Sequence, residues 1–371
     1  MKVDFNVPYL TGNELKFISE AISNGHLSGN GPFTQNCHRF FEEQWGIKKG
    51  LLTTSCTDAL EMCSLLLNIG PGDEIIVPSY TFVSTALAFA RQGADIIFAE
   101  SRIDHPGIDE EQIELLVTSR TKAIIVVHYA GVACDMDKIM ELARIHNLWV
   151  IEDAAHAIDS FYKGKRLGTI GHLGCFSFHE TKNIHCGEGG LLVINDDRFI
   201  QKAEIIWEKG TNRAAFNRKE TNKYEWLELG SSFLPSDILA AFLWAQLVEI
   251  DKIQSTRIKL WNWYNEHIDE LLDGFRFKKP VIPDYTSING HMYYVVCDSE
   301  TERQRIIKHL NTRGIYPLSH YLCLHKSPYY SERYIGPILN NSLRYEQCIL
   351  RLPFYNELTS QLDHYTSLFN S

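Results

Sequence analysis

The sequence predicts an α/β protein: a largely parallel sheet covered by helices on both faces, followed by a smaller α+β unit. Three observations carry this. Apolar segments of strand length recur from residue 74 to residue 195 without polar alternation. Amphipathic helical stretches separate them. Past residue 236 the alternation gives way to a long helical run and then to mixed elements. Unalternated strands joined through helices are what a sheet buried on both faces requires.

The elements follow in order. The first helical signal is 13–23, where Leu15, Ile18 and Ile22 are expected on one buried face and Gly25 is a stop. SGNGP (28–32) is turn-rich and leads into a helix carrying Cys37, Phe40, Phe41 and Trp45. TSCTDALEMCSLLLNIG reads as a capped helix ending at Gly70. EIIVP (74–78) reads as strand, 85–91 as helix and DIIFAE (95–100) as strand. AIIVVHY (123–129) and LWVIED (148–153) are strands flanking a helix over 137–146. CFSFH (175–179) and LLVIN (191–195) complete the series. From Ser236 to Asp273 there is no Gly or Pro, and Leu239, Phe242, Leu243, Leu247, Ile250 and Ile253 keep helical spacing. This is one long helix or two abutting ones, and a domain boundary is expected inside it, dividing the chain into 1–250 and 251–371. MYYVVC, ERQRIIKHLNTRG and a Tyr-rich tail read as the small α+β domain.

Composition narrows the class. The chain has 371 residues, 44% hydrophobic and 22% charged, which excludes disordered and collagen-like proteins. A net charge of −10 repels nucleic acid, although a local basic pocket for one phosphorylated ligand is compatible with it. No apolar run reaches bilayer length. The start, MKVDFNVPYLTGNEL, is polar and acidic where a signal peptide is apolar. The nine cysteines are odd in number, irregularly spaced and without a CxxC pair. Reduced thiols and a cytoplasmic location are expected.

Four constellations can carry chemistry. Thr54-Ser55-Cys56-Thr57 opens an apolar helix, whose positive end can bind a phosphate, although on this segment alone a plain N-cap is the commoner reason for it. Glu152-Asp153-Ala154-Ala155-His156 directly follows a strand, at the end of a sheet where ligands bind. Asp153 and His156 there can address two points of one ring, or be a solvated loop pair. Lys182, in SFHETKN, lies after a buried strand and before the glycines of GEGG (187–190). A desolvated lysine is a nucleophile fit for Schiff-base chemistry, whereas most lysines are simply solvated. HETKN misses the zinc pattern HExxH because Asn183 replaces its second His. HYLCLH (320–325) fits no zinc spacing and reads as core or pocket, so no metal is expected.

In this order, PSYTF, VHYAG, EDAAH, SFHETKN with GEGG, HYLCLH and LPFY resemble the DegT/DnrJ/StrS family of sugar aminotransferases across nearly the whole chain. The resemblance implies the pyridoxal-phosphate (PLP)-dependent transferase fold type I, like that of aspartate aminotransferase. It implies that Lys182 binds PLP covalently and later moves a proton between the substrate carbon and the cofactor. Asp153 then pairs with the pyridinium nitrogen, His156 sits near the ring 3-hydroxyl, and Phe82 stacks on the ring. Cys56, Thr57 and Ser177 hold the phosphate. Cys56 replaces a Gly that the family commonly has between its Ser and Thr. In the family's GxNxR segment, here Gly230-Ser231-Ser232-Phe233-Leu234, Ser232 replaces the Asn that reaches the neighbouring subunit's phosphate, and Leu234 replaces the Arg.

SCTDALE, PSYTFVSTA, HYAGVACDMD, GCFSFHETKN, EKGTNR and LWAQL narrow the likeness to members that aminate C4 of a dTDP-linked 4-keto-6-deoxy sugar, with glutamate as donor. A homodimer with its active site at the interface is implied, with Arg213, His320 and Tyr321 as candidate substrate contacts. The alternatives are amination at C3 or of a UDP-linked sugar, a PLP-dependent sugar dehydratase, and a non-catalytic regulatory homologue. The dehydratase branch replaces the lysine with histidine, so Lys182 speaks against it. Intact Lys182 and Asp153 speak against the last.

Overall fold

The computed structural model describes residues 3–369. Two helices, α1 (Glu14–Ser23) and α2 (Pro32–Trp45), open the chain. Strands and helices then alternate: β1 (Lys49–Thr53), α3 (Cys56–Leu66), β2 (Glu74–Pro78), α4 (Ser84–Ala90), β3 (Asp95–Ala99), the one-turn α5 (Glu110–Ile113), β4 (Thr121–Val127), α6 (Met136–His146) and β5 (Trp149–Asp153). A short hairpin of β6 (Phe161–Tyr162) and β7 (Lys165–Arg166) precedes β8 (Leu173–Ser177) and β9 (Gly190–Ile194). Helices α7 (Ile200–Trp207), α8 (Arg213–Asn217), α9 (Asp237–Leu247) and α10 (Ile250–Leu271) follow. The rest adds β10 (Phe277–Lys278), β11 (Tyr294–Cys297), α11 (Glu300–Asn311), α12 (Asn340–Cys348), β12 (Ile349–Arg351) and α13 (Leu362–Phe369).

Seven strands form one sheet in the order β1-β9-β8-β5-β4-β2-β3. From β8 to β3 every pair is parallel, while β9 runs antiparallel to both of its neighbours. The carboxyl ends of β1, β2, β4, β5 and β8 therefore share one edge. Side chains alternate between the two faces. Ile76, Ile124, Val126 and Val150 pack toward α2, α6 and α9. Ile75, Val77, Ile125 and Ile151 pack toward α3, α4 and α7. This is the α/β, fold type I arrangement, with helices on both faces of a mainly parallel sheet. A third cluster joins α10, α11, β11, β12 and α13, and takes in Tyr80 and Tyr129 from the loops after β2 and β4. Those two tyrosines bring the C-terminal elements up to the carboxyl edge of the sheet.

Three details differ from the sequence reading. Leu15 and Ile22 of α1 face solvent; the helix packs on α9 through Phe17, Ile18 and Ala21. Its buried Glu14 accepts from the Thr11 and Gly12 N–H groups and from Gln246, so a carboxylate occupies the inner face where apolar spacing alone pointed elsewhere. Helix α3 ends at Leu66 rather than Gly70, because Asn68 turns the chain with φ 51°. β1, which shows no separate signal in the sequence, pairs with β9 to close one side of the sheet. The run after Ser236 is two helices, broken at Val248 and Glu249. Among the described residues no helix is long and apolar enough to cross a membrane.

Candidate active site

The carboxyl edge of the sheet gathers the chemistry-bearing residues. Asp153 ends β5 and is buried. The Thr85 hydroxyl donates to its Oδ2 at 2.7 Å and the Ala155 N–H to its Oδ1 at 3.2 Å. Burial still raises its pKa, against the lowering effect of Thr85, Ala155 and the Lys182 charge. A buried carboxylate held this way is stabilised by a cation placed against it.

β1 delivers the start of α3 to the same edge. Ser55 caps it, accepting from the Asp58 N–H at 3.1 Å. The N–H groups of Cys56 and Thr57, in the first turn, have no partner within the helix and sit at its positive end. The Thr57 hydroxyl lies 2.7 Å from that of Ser84, which starts α4. Gly190 explains the close fit from below. A Cβ there would come within 2.4 Å of the Ser55 carbonyl and 2.5 Å of the Cys56 nitrogen. Only glycine lets β9 approach the helix start this closely.

Lys182 lies in the tongue between β8 and β9. Backbone bonds from Phe178 to Gly189 and from Glu180 to Gly187, both 2.8 Å, hold the tongue. Burial brings the lysine pKa down to about 8, overcoming the opposing pull of Cys56 and Asp153, and the Arg351 charge lowers it further. An amine so tuned is partly unprotonated near neutrality and can attack a carbonyl.

His156 completes the floor. Its Nδ1 accepts from the Ala130 N–H at 3.3 Å, and its Nε2 is 3.2 Å from the Tyr321 hydroxyl. Burial, then the charge of Lys182, holds it well below the usual imidazole range, so the ring is neutral. Tyr321 stacks on His320 at 3.6 Å and takes a left-handed φ of 42°. His320 is fixed by the Tyr129 hydroxyl at 2.7 Å and by Tyr80, whose hydroxyl donates to its carbonyl at 2.8 Å. Phe82 is 56% exposed, with its ring 6.1 Å from that of Tyr321.

The donor set fits PLP. A helix start suits a phosphate, a buried carboxylate suits a pyridinium, and a lysine of lowered pKa suits an aldehyde. Asp153, Cys56, Lys182, His156, His320 and Tyr321 are brought together. Ser177 ends β8 half-buried, with its hydroxyl accepting from the His179 N–H at 3.4 Å. Two other candidates lie elsewhere on this chain. Arg213 is exposed and paired at 3.7 Å with buried Glu208. Ser232 is exposed, although the next carbonyl, of Phe233, accepts from the Thr54 N–H at 3.0 Å. Thr85, Asn183, His291 and Arg351 were not singled out from the sequence. Thr85 lies within the quoted PSYTFVSTA, but nothing in spacing separates it from a helix cap. His291 and Arg351 reach the cleft only through the fold of the C-terminal elements. The two histidines of HYLCLH diverge, since His325 Nδ1 lies 2.6 Å from the Ser79 hydroxyl while His320 faces Tyr129.

The profile of the DegT/DnrJ/EryC1/StrS aminotransferase family matches residues 8–365. The spore coat polysaccharide biosynthesis protein SpsC of Bacillus subtilis is 32% identical over 364 residues, 96% of this chain and 92% of that one. The GDP-perosamine synthase of Caulobacter vibrioides is 34% identical over 321 residues, 85% of this chain and 83% of that one. Among solved structures, DesV of S. venezuelae superposes with a TM-score of 0.87 at 28% identity, covering 99% of this chain and 97% of that one. The chain belongs to the DegT/DnrJ/EryC1/StrS family and is a PLP-dependent sugar aminotransferase.

Proposed function

We propose that this aminotransferase moves the amine of glutamate to C4 of dTDP-4-keto-6-deoxyglucose, the reaction of a dTDP-4-amino-4,6-dideoxygalactose transaminase. The observation that carries the reaction class is the presence in one cleft of Lys182, with its lowered pKa, and buried Asp153, each within reach of the other's charge. Bound in this cleft, PLP supplies a protonated ring that withdraws electrons from the substrate carbon. Asp153 keeps the ring nitrogen protonated. Cys56, Thr57 and Ser177 orient the phosphate, Phe82 covers the ring, and His156 donates to the 3-oxygen. Lys182 Nζ carries the proton between the substrate carbon and the cofactor. His320 and Tyr321 line the side where the sugar enters, and Arg213 is kept as a contact for a substrate phosphate.

The choice of a C4 ketone and of dTDP rests on the segment likeness. An acidic chain supports selectivity through a few local donors rather than general polyanion binding. Likeness to a GDP-perosamine synthase favours a second reading, in which the nucleotide is GDP. We place the cofactor machinery in 1–250 and the smaller domain in 251–371, in a cytoplasmic homodimer. Exposed Phe82, Val83 and Leu87 beside the cleft, and Trp226, Leu227 and Leu229 beside Ser232, support a second copy as the covering partner. The test is incubation with PLP, glutamate and dTDP-, UDP- or GDP-linked keto sugars, read by mass spectrometry and NMR. 2-Oxoglutarate and a dTDP sugar aminated at C4 are expected. Amination at C3, or turnover only of a UDP- or GDP-linked sugar, overturns the substrate and leaves the reaction class standing.

A further inference from the structure

His291 is given no role in the machinery described above, yet its ring stacks closer on His156 than those of Tyr129, His320 and Tyr321. The two rings stack at 4.3 Å with 21° between their planes. Both side chains are buried.

The hydrogen bonds around the pair leave each ring one arrangement. The Ala130 N–H donates to His156 Nδ1, so the His156 proton resides on Nε2, which faces the cleft and the Tyr321 oxygen. Asn183 uses its amide N–H groups on the Gln254 side-chain oxygen and the Asn289 carbonyl, both at 2.9 Å. Its oxygen is therefore the acceptor for His291, 2.8 Å from Nδ1. The His291 ring thus carries its proton on Nδ1.

The backbone locks the same pair. The Asn289 side chain donates to the carbonyls of His156 and Ile158, each at 2.8 Å, and accepts from the His291 N–H at 3.0 Å. Arg257 donates to the Gly290 and His291 carbonyls at 2.8 Å each. The segments 156–158 and 289–291 are therefore bound to each other, and Asn183, next to Lys182, is bound to the second. The charged and titratable groups around the pair are Lys182, His320, Tyr321, Tyr129, Arg257 and Arg351.

We propose that His291 is a positioning residue: its flat face holds the His156 ring in the plane that points Nε2–H at the cofactor 3-oxygen, and Asn183 ties that plane to the segment carrying Lys182. His291 touches neither cofactor nor substrate. The inference rests on the reading of His156 as the donor to the 3-oxygen. That hydrogen bond sets how readily the ring oxygen holds its negative charge, so the plane of His156 is written into the colour of the loaded enzyme.

The test compares His291→Leu with His291→Phe. Both fill the space, but only Phe offers a flat face. His156→Leu is measured in parallel, and thermal melts confirm that each variant is folded. The readouts are the pH midpoint of the visible absorption band of the loaded enzyme, the Kd for PLP, and kcat and KM separately. His291→Leu is expected to move the spectral midpoint by at least about 0.5 pH unit and to lower kcat about tenfold. KM for the sugar should stay within about twofold. His291→Phe should restore both midpoint and kcat to within about threefold of the parent. Parent-like behaviour of His291→Leu, or Phe no better than Leu, overturns the proposal. If His156→Leu moves the midpoint and His291→Leu does not, only this inference fails. If neither moves it, the reading of His156 fails. Should His291→Leu not fold, His291→Phe decides alone, since a midpoint shifted as far as in His156→Leu overturns the proposal.

Discussion

Glu152 and Asp153 are adjacent at the end of β5 and serve opposite faces of the sheet. Glu152 turns away from the cleft and accepts from the N–H groups of Gly168, Ile170 and Gly171 at 2.7, 2.7 and 2.6 Å. Its fourth partner is buried His128, whose Nε2 is 2.9 Å away. Asp153 turns toward α4 and the cleft, with Thr85 and the Ala155 N–H as its partners. Strand alternation thus splits two like residues into a structural anchor and a carboxylate turned to the cleft.

Exchanging each carboxylate for its amide separates the two roles. Asp153→Asn keeps the shape and removes the charge that favours a protonated ring nitrogen. Turnover should fall at least about 100-fold, or roughly 2.7 kcal/mol, with a smaller change in PLP affinity. Glu152→Gln sets an amide N–H against donors and should cost about 2 kcal/mol of stability, measured by denaturant unfolding. Turnover within about twofold for Asp153→Asn would remove its assigned role.

Lys182 gives a pH prediction. Its pKa lies near 8, below the ordinary lysine value, and the reactive form is the unprotonated amine. At pH 7 about one amine in ten is free, against roughly one in three thousand for an unperturbed lysine. Covalent capture of PLP by the cofactor-free protein should therefore speed up about tenfold per pH unit below 8 and level off above it. Stopped-flow absorbance gives the midpoint, and a value near 10 would refute the depressed lysine. Lys182→Ala should fold and show no aldimine band after mixing, only the absorbance of the free aldehyde.

Gly190→Ala tests the close approach of β9 to the start of α3. The added methyl meets backbone atoms of Ser55 and Cys56, which cannot swing aside as a side-chain tip can. A loss of about 1–3 kcal/mol in stability is expected. PLP affinity should weaken at least about tenfold, since the displaced N–H groups are those proposed to hold the phosphate. Equilibrium dialysis with PLP measures this, and unchanged affinity would move the phosphate site away from α3.

The alternating part of the chain was legible because burial on both faces leaves a direct trace in composition. EIIVP matches β2 residue for residue, and LWVIED exceeds β5 only by Leu148. α1 was legible as a helix but not in its orientation, because Glu14 is buried through hydrogen bonds that apolar spacing does not register. β1 was missed because KGLLT is short and borrows its partner from a strand about 140 residues away. Lys182, Asp153 and His156 stood out through position after a strand and through family likeness. Asn183, His291 and Arg257 did not, because their role exists only where three distant segments meet.

Ser232 is expected to reach the phosphate of a second copy. In its own chain the side chain faces solvent, while the neighbouring Phe233 carbonyl is spent on Thr54. The segment is thus anchored beside the start of α3 with its hydroxyl turned outward. Trp226 and Leu229, 78% and 63% exposed on the same stretch, leave apolar surface that a second copy would cover. Trp226→Glu and Leu229→Asp together should shift the protein to a monomer in size-exclusion chromatography and release PLP with it. Ser232→Ala should keep the dimer and weaken PLP binding by about ten- to a hundredfold, the worth of one hydrogen bond to a charged group. A hydroxyl is shorter than the amide the family commonly carries, so Ser232→Asn should bind PLP at least as tightly as the parent. Monomers that keep cofactor with undiminished affinity would show the phosphate to be held within one chain, and the cross-subunit role of Ser232 would be withdrawn.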